Sequence, residues 1–332
     1  MSGEPHSANP DSPHLLEVKD LHVEFKTKTG PSRAVDGVSF YVDEGESLGI
    51  VGESGCGKSV TAMGILRLIA STGRISSGSV MLDGEELTEL SNSQMRAIRG
   101  KKISMIMQDP MTALNPTFTI GYQGGEAMRI HEGVRGKSLL ARVLQLLRLV
   151  NIPAAERRVR DYPDQFSGGM RQRIAGAIGI STTPKVLICD EPTTALDVTI
   201  QAQYLELLKE VQEQTGVALI FITHDMGIVA RMCERVAVMY AGRVVESGTT
   251  RQVFRNPAHP YTIALLRCLP RLEGVERLES IDGQPPDPRE MPVGCRFAPR
   301  CPKAQPECRE AYPEFAPVSS GQHAACFYPG GW

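Results

Sequence analysis

A glycine-rich segment in the first quarter of the chain contains the residue types that bind phosphate groups. Gly52–Ser59 reads GESGCGKS, which matches the pattern GxxxxGK[ST] between a strand-like run and a helical pattern. Glycines let the backbone wrap around phosphates with its N–H groups pointing inward. Lys58 can reach the β- and γ-phosphates, and the Ser59 hydroxyl can bind Mg²⁺. A glycine-rich turn with a chance lysine is the alternative, and the flanking elements disfavour it.

A second candidate site lies where an apolar run ends in two carboxylates. Val186–Cys189 is followed directly by Asp190 and Glu191. Asp190 would hold Mg²⁺ through water, and Glu191 would orient or deprotonate an attacking water. A solvated acidic turn is the alternative. It is less favoured because ligands bind at the carboxyl ends of parallel strands in open α/β sheets.

Four of the eight cysteines lie close together near the C-terminus, namely Cys295, Cys301, Cys308 and Cys326. Clustered cysteines in a cytosolic protein bind metal more often than they form disulfides. No two of the four are separated by only two residues, so the spacing is not typical of a zinc ribbon. Four thiolates could instead ligate a [4Fe–4S] cluster. Zinc and free thiols remain the alternatives.

The elements that must position these residues follow from hydrophobic periodicity. The pattern predicts strands at Leu15–Phe25, Val38–Val42, Ser47–Val51, Ser79–Leu82, Ile103–Met107, Val186–Cys189 and Val217–Ile222. A turn region is predicted at Lys26–Arg33, and a helix opens at Lys58 and extends to Ile69. Ser91 to Gln94 fits a capping box. This alternation indicates an α/β fold whose sheet is largely parallel at its core.

Two further segments have a different character. Residues 109–165 contain a helical stripe and no convincing strand, which predicts a helical insert at about 109–166. Ala241-Gly242 separates two runs that read as a hairpin, and Gly216 is expected to end the preceding helix. After about residue 270 the composition shifts to Pro, Cys and Arg with little periodicity, which predicts a separate tail.

Composition limits the classes of function. Lys plus Arg number 36 and Asp plus Glu number 38, so the net charge is −2 and a nucleic-acid partner is not expected. No apolar run reaches the roughly 18–20 residues that span a bilayer. The polar N-terminus does not read as a secretory signal. We therefore expect a soluble chain that stays in the cytosol unless another subunit holds it at a membrane.

Between the two candidate sites lies Phe166-Ser167-Gly168-Gly169-Met170, which resembles the LSGGQ signature of ABC-type ATPases, with Phe and Met at its ends. Other positions resemble further motifs of that family. Gln108 resembles the Q-loop residue, Asp197 the D-loop residue and His224 the switch histidine. Phe25 lies where the family places an aromatic residue that stacks on adenine. The resemblance extends from about Leu15 to Gly248 with the motifs in order.

The resemblance implies an ATPase that uses ATP and Mg²⁺. The residues expected to bind ATP are Phe25, Gly52, Glu53, Ser54, Gly55, Cys56, Gly57, Lys58, Ser59 and Val60. The residues expected to hold Mg²⁺ are Ser59, Gln108 and Asp190. The residues expected to take part in catalysis are Glu191, His224 and Gln108. Two such subunits would meet head to tail, so Ser167, Gly168 and Gly169, with Asp197 of the D-loop, would act at the ATP held between the two chains.

A second resemblance concerns the end of the chain. Asn256-Pro-Ala-His-Pro-Tyr-Thr262 and the segment with the four cysteines are similar to the C-terminal extension of dipeptide and oligopeptide importer ATPases. Together the two resemblances imply a RecA-like core with an antiparallel β subdomain, a helical insert and a small Cys-rich extension. The expected divisions are a disordered tail at 1–13, an ABC ATPase domain at 14–255 and the extension at 256–332. The extension of this family is associated with a [4Fe–4S] cluster.

The same resemblance implies the partners. They are two membrane permease subunits, a second ABC ATPase subunit that is commonly a different chain, and an extracytoplasmic peptide-binding protein. The chain would lie peripherally at the cytoplasmic face of the bacterial inner membrane. Nickel, glutathione or antimicrobial peptides are alternative substrates. A non-transport ABC ATPase, another phosphate-loop enzyme such as a kinase or GTPase, and a purely structural subunit are alternative classes.

Overall fold

The computed structural model of the chain describes residues 14–28, 30–108, 113–194, 196–269 and 280–330. Its strands are β1 Leu16–Thr27, β2 Gly30–Val42, β3 Ser47–Val51, β4 Gly73–Leu82, β5 Glu85–Glu86, β6 Ile103–Ile106, β7 Val186–Asp190, β8 Ala218–Thr223, β9 Arg235–Tyr240, β10 Arg243–Thr249, β11 Phe315–Ser319 and β12 Gln322–Ala325. Its helices are α1 Lys58–Ile65, α2 Asn92–Ile98, α3 Ile120–Gly124, α4 Glu126–His131, α5 Gly136–Leu149, α6 Ala155–Arg158, α7 Gly168–Ile180, α8 Val198–Thr215, α9 Met226–Met232, α10 Thr250–Arg255, α11 Pro260–Arg267 and α12 Pro306–Glu310.

The strands form two sheets. An antiparallel sheet has the order β2-β1-β4-β5, and a larger sheet has the order β11-β12-β10-β9-β3-β8-β7-β6. The neighbours from β9 through β3, β8 and β7 to β6 all pair in parallel. The predicted α/β fold with a largely parallel core is therefore confirmed.

The parallel strands are mostly apolar because both faces of the sheet are covered. Alternate residues of β8 enter two separate cores: Leu219 and Phe221 pack with the helices on one side, while Ile220 and Ile222 pack with the antiparallel sheet on the other. Successive strand side chains point to opposite faces, so one strand contributes to both cores. This arrangement fixes the carboxyl ends of β3, β7 and β8 at one edge, where the candidate site lies.

Several predicted boundaries needed correction. The turn predicted at Lys26–Arg33 is shorter than predicted, because β1 and β2 stay paired as far as Thr27 and Gly30. Their polar residues pair along the backbone without a hydrophobic pattern. The first helix ends at Ile65, and Arg67 then takes a left-handed backbone conformation with φ of +50°. Ile69 therefore lies beyond the helix.

Other local predictions are confirmed. Ser91 and Gln94 form the capping box at the start of α2. Gly216 ends α8 with φ of +70°, and β9 and β10 form the hairpin around Ala241 and Gly242. Helices α3 to α6 occupy the described part of the region predicted to be a helical insert.

The end of the chain differs from the sequence prediction in one respect. Strand β12 pairs with β10, and β11 pairs with β12, so the segment after residue 280 extends the edge of the main sheet. Composition predicts a separate tail there. The predicted disordered tail at 1–13 lies outside the described residues. Within the described ranges, no helix combines the length and apolar character required to cross a bilayer.

Candidate nucleotide-binding site

The loop between β3 and α1 is held so close to its neighbours that two of its glycines have no room for a side chain. A Cβ at Gly52 would lie 2.1 Å from the Met239 carbonyl oxygen. A Cβ at Gly57 would lie 2.4 Å from the Ala34 carbonyl oxygen, and Gly57 has φ of +103°. The glycines therefore set the path of the loop as well as its access to phosphates.

Lys58 occupies the centre of this loop. Its side chain is buried, and its Nζ donates to the carbonyl oxygens of Gly52 at 2.7 Å and Glu53 at 3.0 Å. The loop therefore surrounds the ammonium group of Lys58, which is also the first residue of α1. A helix N-terminus and a fixed cation together attract anions such as the phosphates of a nucleotide.

Ser59 and Asp190 meet beside the loop. The Ser59 hydroxyl donates to Asp190 Oδ1 at 3.0 Å. Burial raises the pKa of Asp190, and the bond from Ser59 only partly offsets this effect. A buried carboxylate next to a hydroxyl is a donor set suited to Mg²⁺, whose charge would compensate the desolvation. The two residues therefore fit the Mg²⁺ site expected from the sequence.

Glu191 is the centre of a second cluster. Its Oε2 accepts from Gln108 Nε2 at 2.8 Å and from Thr194 Oγ1 at 3.0 Å. Its Oε1 lies 3.2 Å from His224 Nδ1. Burial raises the pKa of Glu191, but the contacts with His224 and Thr194 outweigh burial, and the net pKa is lowered. Glu191 is therefore ionised at neutral pH.

Parallel pairing explains why these residues meet. β7 ends at Asp190 and β8 ends at Thr223, so Glu191 and His224 leave adjacent strands at the same edge. The Glu191 N–H donates to the Ile222 carbonyl at 2.8 Å, and its φ is +44°. This left-handed conformation is uncommon outside glycine and fixes the direction of the carboxylate.

The signature residues lie elsewhere on the surface. Ser167 is exposed and caps α7, accepting from the Met170 N–H at 3.4 Å. Gly169 packs against Ile200 of α8, and the Asp197 carboxylate accepts from the N–H of that same residue at 3.0 Å. Signature and D-loop are thus neighbours. In the described ranges, no hydrogen bond or ion pair joins Ser167, Gly168 or Gly169 to the phosphate loop of the same chain.

Phe25, the expected adenine contact, lies near the end of β1. It pairs with Ser32 on β2 and Gly73 on β4. Its ring covers Gly73 so closely that a Cβ there would be 2.6 Å away. The described contacts place Phe25 in the antiparallel sheet and do not join it to the phosphate loop.

Three residues at the site were not predicted from the sequence. Tyr261 accepts from the Glu53 N–H at 2.8 Å, and Arg300 forms an ion pair with the Glu53 carboxylate at 2.7 Å. Gln172 of the signature helix donates to the Pro192 carbonyl, next to Glu191, at 2.6 Å. Each contact joins residues that are distant in sequence, so no local motif could have revealed it.

The four C-terminal cysteines line one small cavity, together with Phe297 and Phe327. Burial raises the pKa of Cys295 and Cys301, and burial with the charges of the other three raises the pKa of Cys326 to about 11. In the part of the chain that the structure describes, no group of three or more His, Cys, Asp or Glu side chains is arranged to hold a metal ion.

The chain resembles known proteins over most of its length. A sequence profile described as ABC transporter matches residues 35–194, and one described as oligopeptide/dipeptide transporter, C-terminal region, matches residues 245–308. The chain is 50% identical to the dipeptide transport ATP-binding protein DppD of Haemophilus influenzae, over 92% of this chain and 93% of the relative. It is 51% identical to the oligopeptide transport ATP-binding protein OppD of Bacillus subtilis, over 86% of this chain and 80% of that one.

Solved structures give the same result for the fold. A dimeric ATP-binding cassette in a post-hydrolysis state, bound to ADP and Pi, matches with a TM-score of 0.65 and 26% identity. The match covers 71% of this chain and 99% of that one.

Proposed function

The chain belongs to the ABC transporter family as an ATPase, and from this we propose that it powers the import of dipeptides or oligopeptides through a membrane permease complex. One observation carries the proposal. The phosphate loop, the Ser59–Asp190 pair and the Glu191 cluster share one sheet edge in a chain whose end matches the oligopeptide/dipeptide transporter region.

The proposed chemistry is hydrolysis of ATP to ADP and phosphate. Lys58 and the loop N–H groups bind the phosphates, and Ser59, Asp190 and Gln108 would hold a Mg²⁺ ion, which would supply positive charge beside the phosphates. Ionised Glu191 accepts a proton from the attacking water, and His224 holds that carboxylate in position. The remaining ATP contacts are assigned to Phe25, Gly52, Glu53, Ser54, Gly55, Cys56, Gly57 and Val60.

We assign the exposed signature to a partner's nucleotide. Ser167, Gly168 and Gly169, supported by Asp197, would contact ATP held by a second ABC subunit, which we propose to be a different chain. The assembly would add two permease subunits and an extracytoplasmic peptide-binding protein, with this chain at the cytoplasmic face of the membrane. Gln108 and the helical insert at about 109–166 would dock a permease helix.

We also propose the division into an ATPase domain at 14–255 and a C-terminal extension at 256–332 whose four cysteines bind a [4Fe–4S] cluster. A single zinc ion needs its sulfur ligands about 2.3 Å from one point. A [4Fe–4S] cluster spreads its four thiolates over four iron atoms, which suits cysteines distributed around one cavity lined by apolar side chains. A cluster there would cross-link the extension and take no part in hydrolysis.

Metal analysis tests the cysteine assignment. The chain is purified without oxygen, and iron, sulfide and zinc are measured beside a visible spectrum. We expect about four irons and four sulfides per chain, which is the composition of one [4Fe–4S] cluster. Both should be lost in Cys295→Ser. Cys268→Ser, outside the cavity, is the matched control. Zinc without iron would show that the four cysteines bind zinc. The absence of any metal would show that they do not form a metal site.

Reconstitution tests the transport function. The chain is assembled with its permeases in vesicles, and uptake of labelled di- and oligopeptides is measured with ATP on the side of this chain. We expect uptake that Lys58→Ala abolishes. Uptake of nickel or glutathione instead of peptides would change the substrate, and binding to ribosomes or DNA without transport would contradict the proposal.

A further inference from the structure

The C-terminal extension touches the phosphate loop directly. Arg300 donates from both terminal nitrogens to the Glu53 carboxylate, at 2.7 and 3.0 Å, in a two-pronged ion pair. The Tyr261 hydroxyl accepts from the N–H of the same residue at 2.8 Å. One residue of the phosphate loop is therefore held at its backbone and at its side chain by two residues from the last quarter of the chain.

Glu53 places a negative charge where anions must bind. It is the second residue of the phosphate loop, and a free carboxylate there would repel the nucleotide's phosphates. The guanidinium of Arg300 neutralises that charge in a shielded position, because the Arg300 side chain is only 4% exposed and that of Glu53 26%. Bidentate pairs of this kind are both strong and directional.

Arg300 is itself fixed by the extension. Its Nε donates to the Asp282 carbonyl at 2.9 Å and one terminal nitrogen to the Ile281 carbonyl at 3.2 Å. Four residues earlier, buried Arg296 forms an ion pair with Asp36 of β2. Both arginines directly adjoin cysteines of the C-terminal cavity, so the same segment carries the cavity and the contact with the loop.

We propose that Arg300 is a positioning residue for ATP binding, which neutralises Glu53 and so keeps the phosphate loop attractive to the nucleotide. Tyr261 assists by holding the Glu53 N–H. The proposal rests on the proposed nucleotide site at Gly52–Val60 and extends that site to include the C-terminal extension. It predicts that ATP affinity depends on the charge of residue 53 when Arg300 is absent.

A double-mutant cycle on the full-length chain tests this inference. ATP affinity is measured by displacement of a fluorescent ATP analogue in Arg300→Met, Glu53→Gln and the double variant. We expect Arg300→Met to bind ATP roughly tenfold more weakly. Glu53→Gln keeps the backbone of the loop and removes only the side-chain charge, so its own change in affinity is the reference against which the double variant is compared. The double variant should return to within about threefold of the wild type, because the repelling carboxylate is gone.

The rescue separates electrostatic positioning from simple loss of structure. If Arg300 only anchored the extension, Glu53→Gln would not restore affinity in Arg300→Met, and that result would overturn the proposal. Arg300→Lys keeps the charge without the fork and should show a smaller loss, which gives a second test if Arg300→Met does not fold. Arg289→Met, which removes an exposed ion pair with Asp287 in the same segment, is the matched control.

The failure of this inference is distinguishable from failure of the nucleotide site. Lys58→Ala should abolish ATP binding. A wild-type chain with no ATP binding sensitive to that change would overturn both proposals. Binding that Lys58→Ala abolishes and Arg300→Met leaves unchanged would overturn only the role of Arg300. In the assembled complex, Arg300→Met should raise KM for ATP more than it lowers kcat.

Discussion

Glu191 is the residue whose environment is most specific to its proposed chemistry. Gln108, Thr194 and His224 contact its carboxylate, and the backbone of Glu191 has a left-handed conformation with φ of +44°. These contacts keep the group ionised although it is partly buried. A carboxylate that is charged, oriented and beside a Mg²⁺ site is suited to accept a proton from water.

We therefore expect Glu191→Gln to retain ATP binding and to lower hydrolysis in the assembled complex by at least about 10²-fold. Glutamine keeps the size and the contact with Gln108 but cannot accept the proton. ATP affinity and steady-state phosphate release measure the two effects. Glu213→Gln, on the exposed face of α8, is the control. Wild-type turnover in Glu191→Gln would show that Glu191 does not accept the proton from the attacking water.

At this scale the sequence predicts the local part of the site. Gly52–Ser59 and Asp190-Glu191 are contiguous motifs, and strand pairing brings their residues together. Arg300 and Glu53 are 247 positions apart, and neither is unusual in its local sequence. Their contact depends on how the extension docks onto the sheet, which no spacing rule encodes.

At the scale of elements, one buried carboxylate joins α11 and β12 to the main sheet. Glu246 of β10 is fully buried and accepts from the N–H groups of Ala258 and His259, each at 2.8 Å. It also accepts from Gln322 Nε2 of β12 at 2.8 Å. Three donors on one carboxylate compensate its burial and fix the start of the extension.

Glu246→Ala should lower the free energy of unfolding by about 3 kcal/mol, because three donors would lose their acceptor. Hydrogen exchange should accelerate at residues 258–263 and 322–325 while β3 and β8 stay protected. Urea unfolding and exchange mass spectrometry measure both effects. Glu290→Ala, an exposed residue, should change stability little. Equal stability of the two variants would show that Glu246 does not anchor the extension.

The short strand β5 provides a pH-dependent contribution to stability. Glu86 accepts from Ser79, from the N–H of Val80 at 3.0 Å and from Thr88. Burial raises the pKa of Glu86, but these bonds outweigh it and lower the pKa below the ordinary value of 4.5. The stabilisation is therefore present above pH 4.5 and lost as pH falls through the folded-state pKa.

Glu86→Gln should accordingly reduce the free energy of unfolding by about 1 kcal/mol at pH 7, and the difference should shrink as the pH falls below 4.5. Denaturant titrations of both proteins at pH 7 and in the acid range measure this change. Glu89→Gln, on the following loop, is the control. A difference that stays constant with pH would show that ionisation of Glu86 makes no contribution.

The elements that the sequence predicts well are those with a strong internal pattern. β3, β7 and β8 are continuous apolar runs, and α2 and α8 have recognisable ends. The first half of β2 and strands β11 and β12 were missed. These segments lack a regular alternation of apolar residues: β12 pairs with β10, which is distant in sequence, while β11 and the first half of β2 pair with the neighbouring strand of a hairpin. Tertiary pairing of this kind overrides local propensity.

At the scale of the whole molecule, we propose that Ser167 and the phosphate loop of one chain belong to two different ATP sites. The phosphate loop follows β3 at the carboxyl edge of the sheet, whereas Ser167 is the exposed cap of α7, and among the described residues no hydrogen bond joins Ser167 to that loop. A charge spread over the γ-phosphate needs donors from several sides. The solved relative with ADP and Pi is a dimer, which is consistent with a site completed by a second chain.

Ser167→Arg tests this arrangement because it should affect the partner's nucleotide and not this chain's own. Arginine at the exposed cap would block the approach of a second subunit's ATP. We expect ATP binding by the isolated chain to stay within about twofold of the wild type, since surface changes rarely disturb distant sites. Hydrolysis in the assembled complex should fall at the site that holds the partner's ATP.

The loss of the helix cap costs about 1 kcal/mol of stability, and Thr119→Ala, which removes the cap of α3, controls for it. Weaker ATP binding by the isolated Ser167→Arg chain would mean that the signature serves its own phosphate loop, and the proposed exchange between subunits would then be wrong.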